Sequence, residues 1–155
     1  VEPQALLTEA SRMPGLDGQK MSKSYNNTIA MREHPDAIVQ KMRKMPTDPA
    51  RVRRSDAGNP ERCPVWQFHE VYSDEARRQW VREGCTSAGI GCLECKQPLI
   101  DAVLDEQKIF LDRAKPYEED PDLLRGIVAD GSERARDLAR STMRDVREVM
   151  GLDYS

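Results

Sequence analysis

Residues 132–151 read Ser132-Glu133-Arg134-Ala135-Arg136-Asp137-Leu138-Ala139-Arg140-Ser141-Thr142-Met143-Arg144-Asp145-Val146-Arg147-Glu148-Val149-Met150-Gly151. Ala135, Leu138, Ala139, Thr142, Val146, Val149 and Met150 fall on one helix face, while Arg, Asp and Glu fill the other. Ser132 supplies a capping hydroxyl at the start, and Gly151 stands where a left-handed residue closes a helix. The stretch predicts a terminal amphipathic helix with one continuous apolar face. No clean apolar/polar alternation longer than a few residues interrupts the rest of the chain, so the pattern extends to an all-α fold.

Working upstream, a shorter helix is expected over 121–129, stopping at Gly131. A longer one starts at Cys92 or Lys96 and runs to Ala114, with Leu99, Val103, Leu104 and Leu111 inward. Ser73-Asp74-Glu75 marks another start, with Ala76, Trp80 and Val81 as its buried stripe. Gly84 and the Gly89/Gly91 pair are expected to break the chain on either side of Cys85. Val65, Phe68 and Tyr72 predict a helix over 65–72. Pro35 suits a first helical position, Ile38, Met42 and Met45 share a face, and Pro46 ends that run. Pro46, Pro49, Gly58 and Pro60 make 46–62 an extended connector. The expected architecture is an all-α helical bundle over 31–155, preceded at 1–30 by an irregular loop segment.

At 155 residues the chain has the length of about one domain. A charged fraction of 33% against 38% hydrophobic and 5% aromatic residues implies a modest core. No apolar run approaches the ~18–20 residues of a membrane helix. Four cysteines are far too few for a stapled secreted miniprotein. The opening Val1-Glu2-Pro3-Gln4 has neither initiator Met nor secretory leader, which reads as a piece of a longer cytoplasmic protein. The net charge of −3 hides a split, with 11 Lys/Arg against 8 Asp/Glu in residues 1–62 and the acidic excess beyond. Within 41–54, Lys41, Arg43, Lys44, Arg51, Arg53 and Arg54 face one anion, Asp48. Such a patch is either a solvated face or a footprint for phosphate backbones, with Arg51, Arg53 and Arg54 as the candidate contacts.

Gln19-Lys20-Met21-Ser22-Lys23-Ser24 places two ammonium groups three positions apart between turn-forming stretches, Pro14-Gly15-Leu16-Asp17-Gly18 and Ser24-Tyr25-Asn26-Asn27-Thr28. Lysines on such a loop supply mobile point charges to a polyphosphate, and the Ser22 and Ser24 hydroxyls add hydrogen bonds.

The string Lys20-Met21-Ser22-Lys23-Ser24 matches the lysine-loop signature of class I aminoacyl-tRNA synthetases. Its flanks, together with Thr47-Asp48-Pro49, Gly58-Asn59-Pro60-Glu61, residues 63–73, Gly91-Cys92-Leu93-Glu94-Cys95-Lys96 and Thr142-Met143-Arg144-Asp145-Val146-Arg147, resemble the C-terminal part of bacterial tryptophanyl-tRNA synthetases. The resemblance implies that 20–24 bind ATP with its magnesium, that Lys20 and Lys23 stabilise pyrophosphate as tryptophanyl-adenylate forms, and that 31–155 is an anticodon-binding domain for tRNA(Trp). A homodimer is implied for the full-length enzyme. The nucleotide-binding half with its His-Ile-Gly-His type motif would lie upstream, so this piece alone is not expected to aminoacylate, and its lysine loop is expected to be disordered or collapsed.

Cys63, Cys85, Cys92 and Cys95 follow the spacing C-x21-C-x6-C-x2-C inside residues 63–95. One C-x2-C clip and two single cysteines suit a [4Fe–4S] cluster, while zinc normally takes two clips; zinc and free buried thiols remain the alternatives. The resemblance agrees with the cluster, because a subset of these synthetases carries one on similarly spaced cysteines. Lys96 beside the clip is a candidate contact to tRNA phosphate. Trp66 and Trp80 are expected in the core rather than stacked on unpaired bases, and His69 is expected to be structural rather than a ligand. Two functional readings result: part of a tryptophan–tRNA ligase, or a free-standing metal-stabilised RNA-binding module.

Overall fold

The structure, a computed structural model, describes residues 2–7 and 13–152. Five α-helices carry the fold among them: α1 (Pro35–Lys44), α2 (Pro64–Tyr72), α3 (Glu75–Thr86), α4 (Cys92–Glu119) and α5 (Pro121–Val149). The only extended pairing among the described residues is an isolated bridge between Pro14 and Lys20. No described helix is long and apolar enough to cross a membrane.

Each helix start has a local cause. His34 caps α1 by accepting the Asp36 N–H at its ring Nδ1, 3.3 Å away, and Pro35 takes the first position. Asp74 caps α3 by accepting the Arg77 N–H at 2.8 Å. Glu94 reaches back from the first turn of α4 to the Gly91 N–H, the reciprocal half of a capping box. Asp120 caps α5 through the N–H groups of Asp122 and Leu123. At its far end Gly151 adopts φ +63°, its N–H meets the Glu148 carbonyl, and Leu152 N–H meets the Arg147 carbonyl, which is a Schellman closure.

The expected break at Gly131 does not occur. One 29-residue helix passes through Gly126, Gly131 and Ser132, so Ser132 caps nothing. An interior glycine costs a helix only about 0.5–1 kcal/mol, too little to stop one with turns on both sides. Likewise α3 continues through Gly84 to Thr86, and α4 runs beyond Ala114 through Pro116 to Glu119. At Gly84 the missing side chain serves packing, since a Cβ there would lie 2.8 Å from Ile90.

The chain divides into two compact units, 1–111 and 112–155. The first holds the core: Leu16, Ile38, Met42, Met45, Val65, Phe68, Leu99, Ile100 and Val103. Leu16, from the segment before the lysine loop, is part of this core. Cys63, Tyr72, Cys95 and Leu104 pack against it. In the second unit no residue of α5 is buried, and Leu138 and Val149 are 72% and 89% exposed. The apolar period predicted the helix, but not the burial of its face. The stripe expected on α3 is also reduced to Val81, because Ala76 and Trp80 are exposed.

Leu99 and Ile100 on α4 face α1 and α2 residues in one fully buried cluster. Leu99→Ala should cost about 2–5 kcal/mol, the usual range for emptying such a site. Urea unfolding should show the lower midpoint with an unchanged slope.

Candidate functional site

The lysine loop is built around a single buried amide. Asn27 is buried; its Nδ2 donates to Asp17 Oδ1 at 2.8 Å and to the Lys20 carbonyl at 3.0 Å, and its Oδ1 accepts the Ser22 N–H at 2.8 Å. Its own carbonyl accepts the Leu16 N–H at 2.8 Å. A Cβ at Gly15 would collide with this amide, so the close approach requires glycine there. The N–H of Gln19 and the Asn27 amide hold the Asp17 carboxyl below the ordinary carboxylate range. Residues Lys23–Tyr25 form a short 3-10 turn closed by Asn26 in the left-handed region at φ +52°.

Lys20 and Lys23 are exposed on this frame, and the Ser22 and Ser24 hydroxyls lie 2.7 Å apart. Met21 is half-buried and lines an apolar cavity with Phe68 and Phe110. Sequence reasoning missed Asn27; a lone asparagine in a polar stretch carries no mark of burial. It also missed Gln107, whose amide donates to the Glu33 carbonyl at 2.8 Å and fixes the chain between the loop and α1.

The four cysteines occupy helix ends: Cys63 immediately precedes α2, Cys85 lies in the last turn of α3, and Cys92 and Cys95 lie in the first turn of α4. All four are free and half-buried. Burial pushes the Cys63, Cys85 and Cys95 thiols up, Cys95 to about 12. Negative charge at the neighbouring cysteines pushes each of these further in the same direction, so the sulfurs share one electrostatic environment. Arg51 opposes the shift at Cys85 and Lys96 opposes it at Cys95. Gly58 leaves room beside the sulfur, since a Cβ there would lie 2.6 Å from Cys85 Sγ. His69 is fully buried between Ser73 Oγ at 2.8 Å and Cys95 Sγ at 3.4 Å, and burial lowers its pKa to about 4, so it stays neutral. Among the described residues no group of three or more His, Cys, Asp or Glu side chains stands arranged around a single metal ion. The donor set itself is four soft sulfurs with two cations alongside, which suits a group that binds thiolates.

Two of the expected phosphate contacts lie elsewhere than at the surface. Lys96 is buried, and its ammonium donates to the carbonyls of Arg43 at 2.9 Å and Met45 at 2.6 Å. Arg51 is buried too; its guanidinium donates to the carbonyls of Ile90 at 2.6 Å and Arg54 at 3.0 Å and reaches Cys85 Sγ at 3.9 Å. Both cations are spent on backbone carbonyls, and Arg51 reaches a thiol as well. Arg53 and Arg54 remain exposed, Arg54 with Glu94 at 3.1 Å. Trp66 is buried with the Arg82 guanidinium 4.8 Å from its ring centre, as expected of a packed residue, whereas Trp80 is 38% exposed.

The family model described as tRNA synthetases class I (W and Y) matches residues 1–105. The chain belongs to this family. Both the lysine loop and the whole cysteine window lie inside the matched class I synthetase segment. The tryptophan–tRNA ligase of Ralstonia nicotianae is 66% identical over 154 residues, covering 99% of this chain and 38% of that protein. The ligase of the same name from Thermotoga maritima is 42% identical over 154 residues, covering 99% and 47%. The crystal structure of tryptophanyl-tRNA synthetase from Campylobacter jejuni complexed with ADP and tryptophan matches with a TM-score of 0.78 and 26% identity, over 91% of this chain and 44% of that one. The chain thus spans less than half the length of these relatives.

Asp48 joins the connector of this synthetase segment to the thiol neighbourhood. It is buried, accepts the N–H groups of Ala50 at 3.1 Å and Asn59 at 2.9 Å, and lies 3.5 Å from Arg62. Those two N–H groups, ahead of the Arg62 charge, hold its pKa below the ordinary carboxylate value. A carboxyl depressed in the folded state stabilises above its unfolded pKa and loses that contribution as pH falls through the folded one. Asp48→Asn should therefore lower the melting temperature at neutral pH and flatten its decline as pH is taken below the ordinary carboxylate range. Thermal melts from pH 7 to pH 3 read both effects.

Proposed function

We propose that the chain is the C-terminal part of a tryptophan–tRNA ligase, which joins tryptophan to ATP as an adenylate, releases pyrophosphate and passes the tryptophan to tRNA(Trp). The observation that carries this reading is the braced Lys-Met-Ser-Lys-Ser loop, with Lys20 and Lys23 exposed and Met21 half-buried beside an apolar cavity of the helical body. The names of the relatives supply the amino acid. Nucleotidyl transfer needs positive charge placed where the leaving pyrophosphate gathers negative charge, and two lysines on a closed loop provide it as point charges without a rigid fork. Lys20 and Lys23 take that role for magnesium-bound ATP, with Ser22 and Ser24 as hydroxyl donors. A free-standing RNA-binding module gives this framed loop no task. The helical body takes the tRNA, with Arg53 and Arg54 as the exposed cations of the basic segment, and the full-length enzyme works as a cytoplasmic homodimer.

The four cysteines would hold a [4Fe–4S] cluster in this reading. Such a cluster supplies positive charge that makes four thiolates tenable at a place where burial otherwise keeps thiols protonated, and it ties the start of α2, the end of α3 and the start of α4 to one centre. Arg51, Lys96 and neutral His69 then surround the sulfurs and limit water around them.

In the full-length enzyme, Lys20→Ala and Lys23→Ala should each lower tryptophan-dependent ATP–pyrophosphate exchange about 100-fold or more while tryptophan binding changes little, because the interaction matures only in the transition state. Exchange at the wild-type rate in both variants would remove the assignment. Protein purified without oxygen should be brown and contain iron and acid-labile sulfide in equal amounts. Colourless protein with one zinc and no sulfide would replace the cluster by the zinc alternative.

A further inference from the structure

Trp80 departs from what its helical position predicts. It lies on the outer side of α3, 38% exposed, with the Arg77 guanidinium 5.5 Å from its ring centre. Together with Tyr72 it forms one wall of an open groove of about 630 Å³, whose facing wall is α4, with Gln97, Asp101 and Asp105. Gln97 donates to Asp101 Oδ1 at 2.9 Å, which leaves the second Asp101 oxygen unengaged by that bond. Among the described residues no Lys or Arg forms an ion pair with Asp101 or Asp105.

We propose that this groove takes one unpaired nucleobase bearing an exocyclic amino group, stacked on Trp80 and read at its edge by the carboxylates of Asp101 and Asp105. Large aromatic faces are the usual platforms for bases splayed out of single-stranded loops, and a carboxylate accepts from an amino group such as cytosine N4 while it repels a carbonyl such as uracil O4. Arg77 closes over the ring as a cation that also faces the attached phosphate. An acidic wall suits selection rather than affinity, because affinity for RNA comes mainly from phosphate contacts and discrimination from base edges. The inference rests on the tryptophan–tRNA ligase reading above, and it fits the chemistry of that substrate. The single tryptophan codon UGG is paired by the anticodon CCA, and all three of its bases carry an exocyclic amino group.

The experiment uses the full-length enzyme and two reactions, one of which involves no RNA. Trp80→Ala and Trp80→Phe are assayed for kcat/KM toward tRNA(Trp) in aminoacylation and for tryptophan-dependent pyrophosphate exchange. Trp80→Ala should lower tRNA charging at least ten-fold relative to exchange, through KM for tRNA, and Trp80→Phe should restore it to within a few-fold. Asp101→Asn with Asp105→Asn should shrink the preference for CCA over a transcript with uracil in place of one cytosine. An equal fall in both reactions, a loss that phenylalanine does not rescue, or an unaltered charging-to-exchange ratio in Trp80→Ala would overturn the proposal. Absence of tryptophan-dependent exchange in the wild-type enzyme is a separate result, which overturns the ligase reading itself.

Discussion

The ammonium of Lys96 is the constraint on which the helical body turns. It sits 3% exposed at the junction of α1 and α4, with two carbonyl acceptors at the C-terminal end of α1. An ammonium stripped of water costs several kcal/mol unless its environment replaces that water. Here the replacement is the negative end of a helix, through the carbonyls of Arg43 and Met45. Burial draws the Lys96 pKa down, and charge at Cys92, Cys63 and Cys95 acts to restore it. The same side chain therefore ties the end of α1 to the start of α4 and brings a cation towards Cys95.

Arg51 plays the matching part on the other side. Its donors go to Ile90 and Arg54 carbonyls, which pins the connector over the α3–α4 turn and brings a second cation to Cys85. The connector is thus held by a buried cation and a buried anion, Arg51 and Asp48, each bonded chiefly to backbone groups. A segment rich in proline, with few apolar side chains to bury, is ordered by that polar anchoring.

The lysine loop follows the same logic with a neutral anchor. Asn27 satisfies backbone groups on both arms of the loop, so Lys20 and Lys23 leave a braced frame, while Leu16 just before it joins the helical core.

The sequence by itself determined the helical class, most helix starts and the two chemical motifs. Caps, proline positions and the three-and-four spacing of apolar residues are local properties, so 35–44 and 64–72 were legible nearly to the residue, as was the closure at Gly151. The Lys-Met-Ser-Lys-Ser string and the cysteine window were equally plain, because both are runs of residue types at fixed spacing. Only the tertiary structure decided which polar groups are spent inside. Lys96 and Arg51 read as surface cations until distant carbonyls are brought to them, and Asn27 and Gln107 read as loop and helix polarity. Burial is decided by what a second surface covers, and periodicity describes one surface alone. That is why Trp66 went inside, Trp80 stayed at a groove, and the apolar stripe of α5 formed a helix without burying any of its residues.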